Sequence, residues 1–228
     1  MITKTKGLVL HNLKYRETSL LVTIYTAEFG IASYIENGVR SAKAKHKMAL
    51  FQPLTLLDLE VFHKPGRGLH RISEAKCYFP YRQIPFDVGK SSIALFLSEI
   101  LAKVLKEEEA NFPLYDFLEE SFQFLDGAQG NYENFHIQFL WNLASFLGFA
   151  PGSTEELIDQ LKQSQFSGAN VIDAKLLSEL VMANYGEPFI ISRSQRKECL
   201  SGLLYFYRLH IESFGELRSW EILQEVMA

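Results

Sequence analysis

The sequence predicts an α+β chain of two parts, a small five-stranded β-barrel followed by an all-α domain. Three observations carry this. Residues 1–82 hold short runs of branched and aromatic residues separated by turn formers. From residue 88 onward, apolar residues recur at spacings of three and four. Charge changes at the same boundary: residues 1–82 contain 13 Lys and Arg against 6 Asp and Glu, a net +7, and residues 83–228 contain 10 against 21, a net −11. The formal −4 of the whole chain describes neither part.

Five strand-like runs come first: LVLHNLKY, SLLVTIYT, IASYIEN, LTLLDLEVFH and LHRISEAKCYF. Thr23, Tyr25 and Ser33 interleave with apolar neighbours, a pattern that suits a pleated, half-buried surface. The separators are Arg16-Glu17-Thr18, Glu28-Phe29-Gly30, a basic connection after Gly38, and Lys64-Pro65-Gly66-Arg67-Gly68. Five strands in so short a segment fit a closed or nearly closed barrel of the OB type, because closure removes exposed edges. A linker follows through Phe79-Pro80-Tyr81-Arg82-Gln83-Ile84-Pro85, which sets the expected domains at 1–82 and 83–228.

The helices follow in order. Ile93, Phe96, Leu97, Ile100, Leu101 and Val104 give one apolar face over about 88–106. Pro113 opens a second helix with Leu114, Phe117, Leu118, Phe122 and Leu125, since its missing N–H loses no bond in a first turn. Asn131 is the expected cap of a third, carrying Phe135, Phe139, Leu140, Leu143, Phe146 and Leu147 and stopped by Gly148 and Pro151. Ser153 with Glu156 has capping-box spacing. Three more helices are expected over Asp173 to Tyr185, about 195–213 and about 216–227. Helix after helix without intervening strands argues for a bundle rather than a βαβ sheet.

Composition bounds the chemistry. With 47% hydrophobic residues and 18 Phe the chain can bury a sizeable core. The start MITKTKGLVLH lacks the apolar stretch of a signal peptide, and no run reaches the roughly 18 apolar residues of a membrane span. A cytoplasmic protein is expected, with Cys77 and Cys199 as free thiols. His11, His46, His63 and His70 show no ligand-like helical pairing. There is no G-x-x-x-x-G-K-[ST] loop, no G-x-S-x-G elbow and no H-E-x-x-H. Glu107-Glu108-Glu109 has no companion His and is expected to be a solvated acidic patch. The sequence therefore gives no support to an enzyme, and no cofactor or metal is expected.

Cations near aromatics on a β scaffold point elsewhere. Single-stranded nucleic acid needs positive charge along its phosphates and flat side chains under its bases. Lys14 and Arg16 flank Tyr15 at the end of the first run. Arg40, Lys43, Lys45 and Lys47 gather on the long loop after the third, with no acidic residue between Glu36 and Asp58. Lys64, Arg67, His70 and Arg71 sit about the last hairpin, and Tyr15, Tyr34 and Phe62 are the candidate stacking residues.

The stretch KYRETSLLVTIYTAEFG, running into NGVRSAKAKHKMALFQPLTLLDLEVFHKPGRGLHRISEAK, resembles the amino-terminal domain of the RecO family of bacterial recombination mediators. A Y-x-E-x-[SD]-x-[LI]-[VL] step is matched by Tyr15, Glu17, Ser19, Leu21 and Val22, and a T-x-x-x-G turn by Thr26 and Gly30. The G-[VA]-R loop and [LF]-Q-P segment are matched by Gly38, Val39, Arg40, Phe51, Gln52 and Pro53. The match is dense over residues 1–80 and looser beyond. The resemblance implies an OB-fold followed by a helical domain and a non-enzymatic DNA-repair role in the RecF pathway. That role comprises binding single- and double-stranded DNA, annealing strands, and helping recombinase load onto strands coated by single-strand-binding protein. It further implies RecR and the acidic, apolar tail of single-strand-binding protein as partners, a nucleoid-associated location, and Arg40, Lys43, Lys45 and Lys47 as DNA-contacting. Many relatives carry a four-cysteine zinc module after a segment like LGFAP. Here GFAP leads into GSTEELIDQLKQSQFSGAN without a cysteine, so no zinc module is expected. The rival readings are a protein-interaction adaptor built on the Phe-rich helices, and RNA binding by the same barrel.

Overall fold

A computed structural model describes residues 2–39, 45–64 and 66–227 of the chain. The chain divides into two compact units, residues 1–82 with 98–123, and residues 83–97 with 124–228. Sequence patterning draws one boundary at Arg82. The spatial division also passes through two helices, because the docking of residues 98–123 beside the strands leaves no trace in periodicity.

Five strands form the first unit: β1 (Thr3–Tyr15), β2 (Ser19–Thr26), β3 (Gly30–Glu36), β4 (Leu56–Phe62) and β5 (His70–Phe79). They close in the order β1-β2-β3-β5-β4, with β1 returning to β4, and this is an OB-type barrel. The long β1 serves two neighbours. Its first half pairs with β4 from Thr3 to Leu8 and its second half with β2 from Gly7 to Tyr15, bending at a register shift between Val9 and His11. Closure between β3 and β5 is parallel and short, through Tyr34 opposite His70 and Ile35 opposite Arg71. Alternation then selects the interior: Val9, Val22, Ile24, Ala32, Tyr34, Leu57, Leu59, Val61 and Ile72 make one apolar cluster.

The connection from β3 to β4 supplies the barrel's plug. Val39 and Phe51 are both buried in that cluster. Between them the structure has a single-turn helix, α1 (Lys45–Ala49), where the sequence suggested only a loop. A five-residue helix is too short to show a 3.6-residue period. The Asn12 side chain donates to the Phe51 carbonyl at 2.8 Å and ties the plug to β1.

Helices α2 (Val88–Val104) and α3 (Phe112–Gly127) come next. Asn111 accepts from the Leu114 N–H at 3.0 Å and so caps the helix that Pro113 opens. The segment 98–123 joins the barrel through a Lys6–Glu119 ion pair at 3.1 Å and a contact between the Tyr78 and Tyr115 hydroxyls at 3.1 Å.

The second unit adds α4 (Phe135–Phe146), α5 (Thr154–Gln163), a 3-10 turn at Ser167–Asn170, α6 (Ala174–Met182), α7 (Arg193–His210) and α8 (Ser219–Val226). Ser153 accepts from the Glu156 N–H as its spacing predicts, while the Glu156 carboxylate reaches the Gly152 N–H. A full capping box stands at Ser192 and Gln195. Asn131 does not cap α4. It has a positive φ of 54° and donates to the Gly186 carbonyl, while Asn134 donates to that of Phe189, so both asparagines tie down the α6–α7 loop. Lys90 is 1% exposed, and its ammonium is met by Gln83 and the carbonyls of Asp126 and Ala128. Among the described residues no group of His, Cys, Asp and Glu could hold a metal ion, and no helix is long and apolar enough to cross a membrane.

Candidate nucleic-acid interface

Strand register gathers residues that lie far apart in sequence. Across β1, β2 and β3 the ladder runs Lys14–Leu20–Glu36. One residue back on β3 it continues Ile35–Arg71–Phe62 across β5 and β4. Lys14 and Glu36 therefore stand on the rim where β1 and β3 finish, and Arg71 and Phe62 on the opposite rim where β5 begins and β4 finishes, linked by register across the strands at steps of about 4.8 Å.

Three connections extend these rims. The β1–β2 turn carries Arg16 in a left-handed conformation, φ 51°, with its guanidinium 5.3 Å from the Tyr15 ring centre. Lys14 and Arg16 are exposed and Tyr15 is half-buried. After α1 begins, Lys47 reaches Glu36 at 3.6 Å. Burial pushes the Glu36 carboxyl above the usual range, and Lys47 and Arg71 pull it back. Glu36 is thus a pivot between cations of two elements. On the β4–β5 hairpin Lys64 and Arg67 are exposed, and Phe62, 45% exposed, stands opposite Arg71. Arg40 and Lys43, with the side chain of Lys45, lie outside the described residues.

Two sequence expectations need correction. Tyr34 is 0% exposed and packs in the barrel core, where no base can reach its ring. His70 is no surface cation. It is 8% exposed, and its Nδ1 accepts from the Lys64 N–H at 3.3 Å, which organises the hairpin from within. Sequence reasoning also passed over His63 and Phe29, whose rings stack beside it. Nothing in their spacing marks them, because β3, β4 and the hairpin bring them together.

A closed OB barrel with cationic rims, continued by a helical bundle, defines a class of proteins that present a strand face and loops to chain-like ligands. The profile for "Recombination protein O N terminal" matches residues 1–81, and that for "Recombination protein O C terminal" matches residues 85–221. The chain is 39% identical to DNA repair protein RecO of Phocaeicola vulgatus over the full length of both. It is 38% identical to that of Bacteroides fragilis over 99% of both, and 34% identical to that of Flavobacterium johnsoniae over the whole of both. The chain belongs to the recombination protein O family of DNA repair proteins.

Proposed function

We propose that this protein is a non-enzymatic recombination mediator that holds DNA on the cationic rims of its barrel and along the strands between them. Its role is to bind single and double strands, anneal complementary strands, and help recombinase load onto strands coated by single-strand-binding protein. The observation that carries this reading is the ladder that links Lys14, Arg71 and Phe62. Arg16, Lys47, Lys64 and Arg67 extend it, and Arg40, Lys43 and Lys45, which lie just before Lys47 in sequence, are proposed to contact DNA as well. Each phosphate neutralised releases condensed counterions, and two strands held on these cations lose their mutual repulsion. Tyr15 and Phe62 are the proposed stacking residues; Tyr34 is not. The proposed division of labour is residues 1–82 for DNA and residues 83–228 for partners, in the bacterial cytoplasm at the nucleoid. The test is anisotropy of a labelled oligonucleotide with whole protein at several salt concentrations. Affinity independent of salt would reject the rims.

RecR and the tail of single-strand-binding protein are the proposed protein partners. The proposed place for the tail is a cleft of about 540 Å³ in the helical unit, lined by Arg193, Arg196 and Lys197, by Glu221 and Glu225, and by Leu200, Trp220 and Leu223. Three cations against two carboxylates, with apolar side chains beside them, suit an acidic peptide that carries an apolar side chain. Loss of tail-peptide binding in an Arg193→Ala, Lys197→Ala variant is the expected outcome. RNA binding by the same rims is separated by competition between DNA and RNA oligonucleotides at one salt concentration.

A further inference from the structure

Residues 63–70 lie beyond the last β4–β5 ladder pair, Phe62 with Arg71, and carry the exposed hairpin cations Lys64 and Arg67. A loop with few backbone bonds of its own moves freely unless side chains fix it. The Arg67 N–H returns to the Lys64 carbonyl at 3.3 Å, around Gly66 with a φ of +77°. The Lys64 N–H donates to His70 Nδ1, also at 3.3 Å. Those bonds shape the loop, and a column of rings fastens it to the barrel.

The column joins two loops. Phe29, in the β2–β3 turn, stacks on His63 with ring centres 3.9 Å apart and planes 4° apart. His63 stacks on His70 at 4.0 Å, and His70 leans on the core ring of Tyr34 at 5.7 Å. Both faces of His63 are therefore covered, one of them by a ring from the other loop. The Phe29 end is itself fixed: its N–H donates to Thr26 Oγ1 at 3.1 Å, and that hydroxyl donates to the Gly30 carbonyl at 3.0 Å. His63 serves here as a flat plate, since its Nδ1 is buried and meets no hydrogen-bond partner among the described residues. Glu28 and Glu108, with Arg67 and Lys106, surround the rings, and burial holds both imidazoles below their usual range. The column is thus uncharged at pH 8, and replacing one of its rings removes no cation.

We propose that Phe29, His63 and His70 are positioning residues for the hairpin cations, a ring column that sets Lys64 and Arg67 against the barrel before a strand arrives. The proposal rests on the reading above in which those two cations meet phosphate, and it adds what fixes their place. A loose loop would lose its freedom on binding, and that cost would cancel much of what two phosphate contacts contribute. A loop already stacked has little such freedom left to lose. The rings themselves need touch no nucleotide.

The test is anisotropy of labelled oligo-dT with whole protein at pH 8 over a range of salt concentrations. Replacing Lys64 and Arg67 together by Ala sets the reference, a slope of log K against log salt lower by about 1.4 for two single-strand phosphates. His63→Ala leaves every cation in place. It is nonetheless expected to lower the slope by roughly half of that or more, and to weaken binding about tenfold at low salt. His63→Phe keeps the plate and should restore both. Phe29→Ala acts from the other loop and should lower the slope likewise, whereas loss of a ring that stacked only on a base would leave it unchanged. Partial unfolding reduces the active fraction without altering the slope, so a damaged variant is not mistaken for a loosened hairpin. A wild-type slope in either Ala variant would overturn the proposal, and so would a His63→Phe protein as defective as His63→Ala. A wild-type slope in the Lys64, Arg67 double variant defeats the parent reading of the hairpin instead.

Discussion

The backbone of Gly30 lies directly beneath the carbonyl of Glu107. A Cβ at Gly30 would stand 2.2 Å from that oxygen and 2.5 Å from the carbonyl of Glu109. The next residue, Ile31, donates its N–H to Glu107 at 2.9 Å, and Gly30 has a φ of +60°. Both the left-handed turn and the close approach require glycine. Gly30→Ala must therefore strain the turn and displace the segment at 107–109. The expected cost is about 2–3 kcal/mol, read as a fall in Tm of roughly 5–10 °C. A variant as stable as wild type would show that the segment is not docked there.

His136 makes stability depend on pH. It is 1% exposed, and burial, with Arg196 adding to it, pushes its imidazole down to about 3. Its folded value lies below the unfolded one, so between those values the unfolded chain binds more protons and stability rises with pH. The contribution is complete above about pH 6.5 and declines as pH falls toward 3. Between pH 7.5 and 5 the wild type should lose about 2 kcal/mol through this group. Urea unfolding of His136→Gln at both pH values should show a loss smaller by that amount. Parallel losses in the two proteins would assign the pH dependence to other groups.

The barrel strands were legible because period-two alternation marks each one locally. Closure was expected because it removes free edges, but the strand pair that makes it was not legible, since the β3–β5 pairing rests on two residue pairs, Tyr34 with His70 and Ile35 with Arg71. The burial of Tyr34 follows from alternation itself: with Ser33 turned out, Ala32 and Tyr34 must turn in. Ser192 and Gln195 had capping-box spacing and could have been found the same way. The site was legible as composition, a run of cations between turns, but not as geometry. The two rims are linked because register sets Lys14 and Arg71, 57 positions apart in sequence, three strand steps from each other. The stacked histidines are likewise a product of tertiary placement.

Metal removal should leave the helical unit intact. Its helix ends are held by side-chain caps at Ser153, Asp173 and Ser192, and its interior by aromatic packing of Phe135, Phe139 and Tyr207, whose hydroxyl donates to the Leu140 carbonyl at 2.7 Å. Overnight chelation is expected to shift Tm by less than about 1 °C, against the much larger change expected when a structural metal is withdrawn. Stoichiometric zinc in protein purified without a metal-affinity tag would contradict this.

The rims predict their own salt dependence. Replacing Arg40, Lys43, Lys45 and Lys47 together by Ala should weaken oligonucleotide binding across all sequences and flatten the plot of log K against log salt. Each single-strand phosphate deprived of its cation lowers the slope by about 0.7, so four engaged cations would lower it by nearly 3. Arg71→Ala alone should lower it by about one such step, and also release Glu36 from one of its two cations. Phe62→Ala tests the other half of the interface. It removes a ring without charge, so affinity for single strands should fall, by about 1–3 kcal/mol, while the salt slope stays as it is. A slope that changes with Phe62 but not with the cations would invert the assignment and place the phosphates elsewhere on the protein.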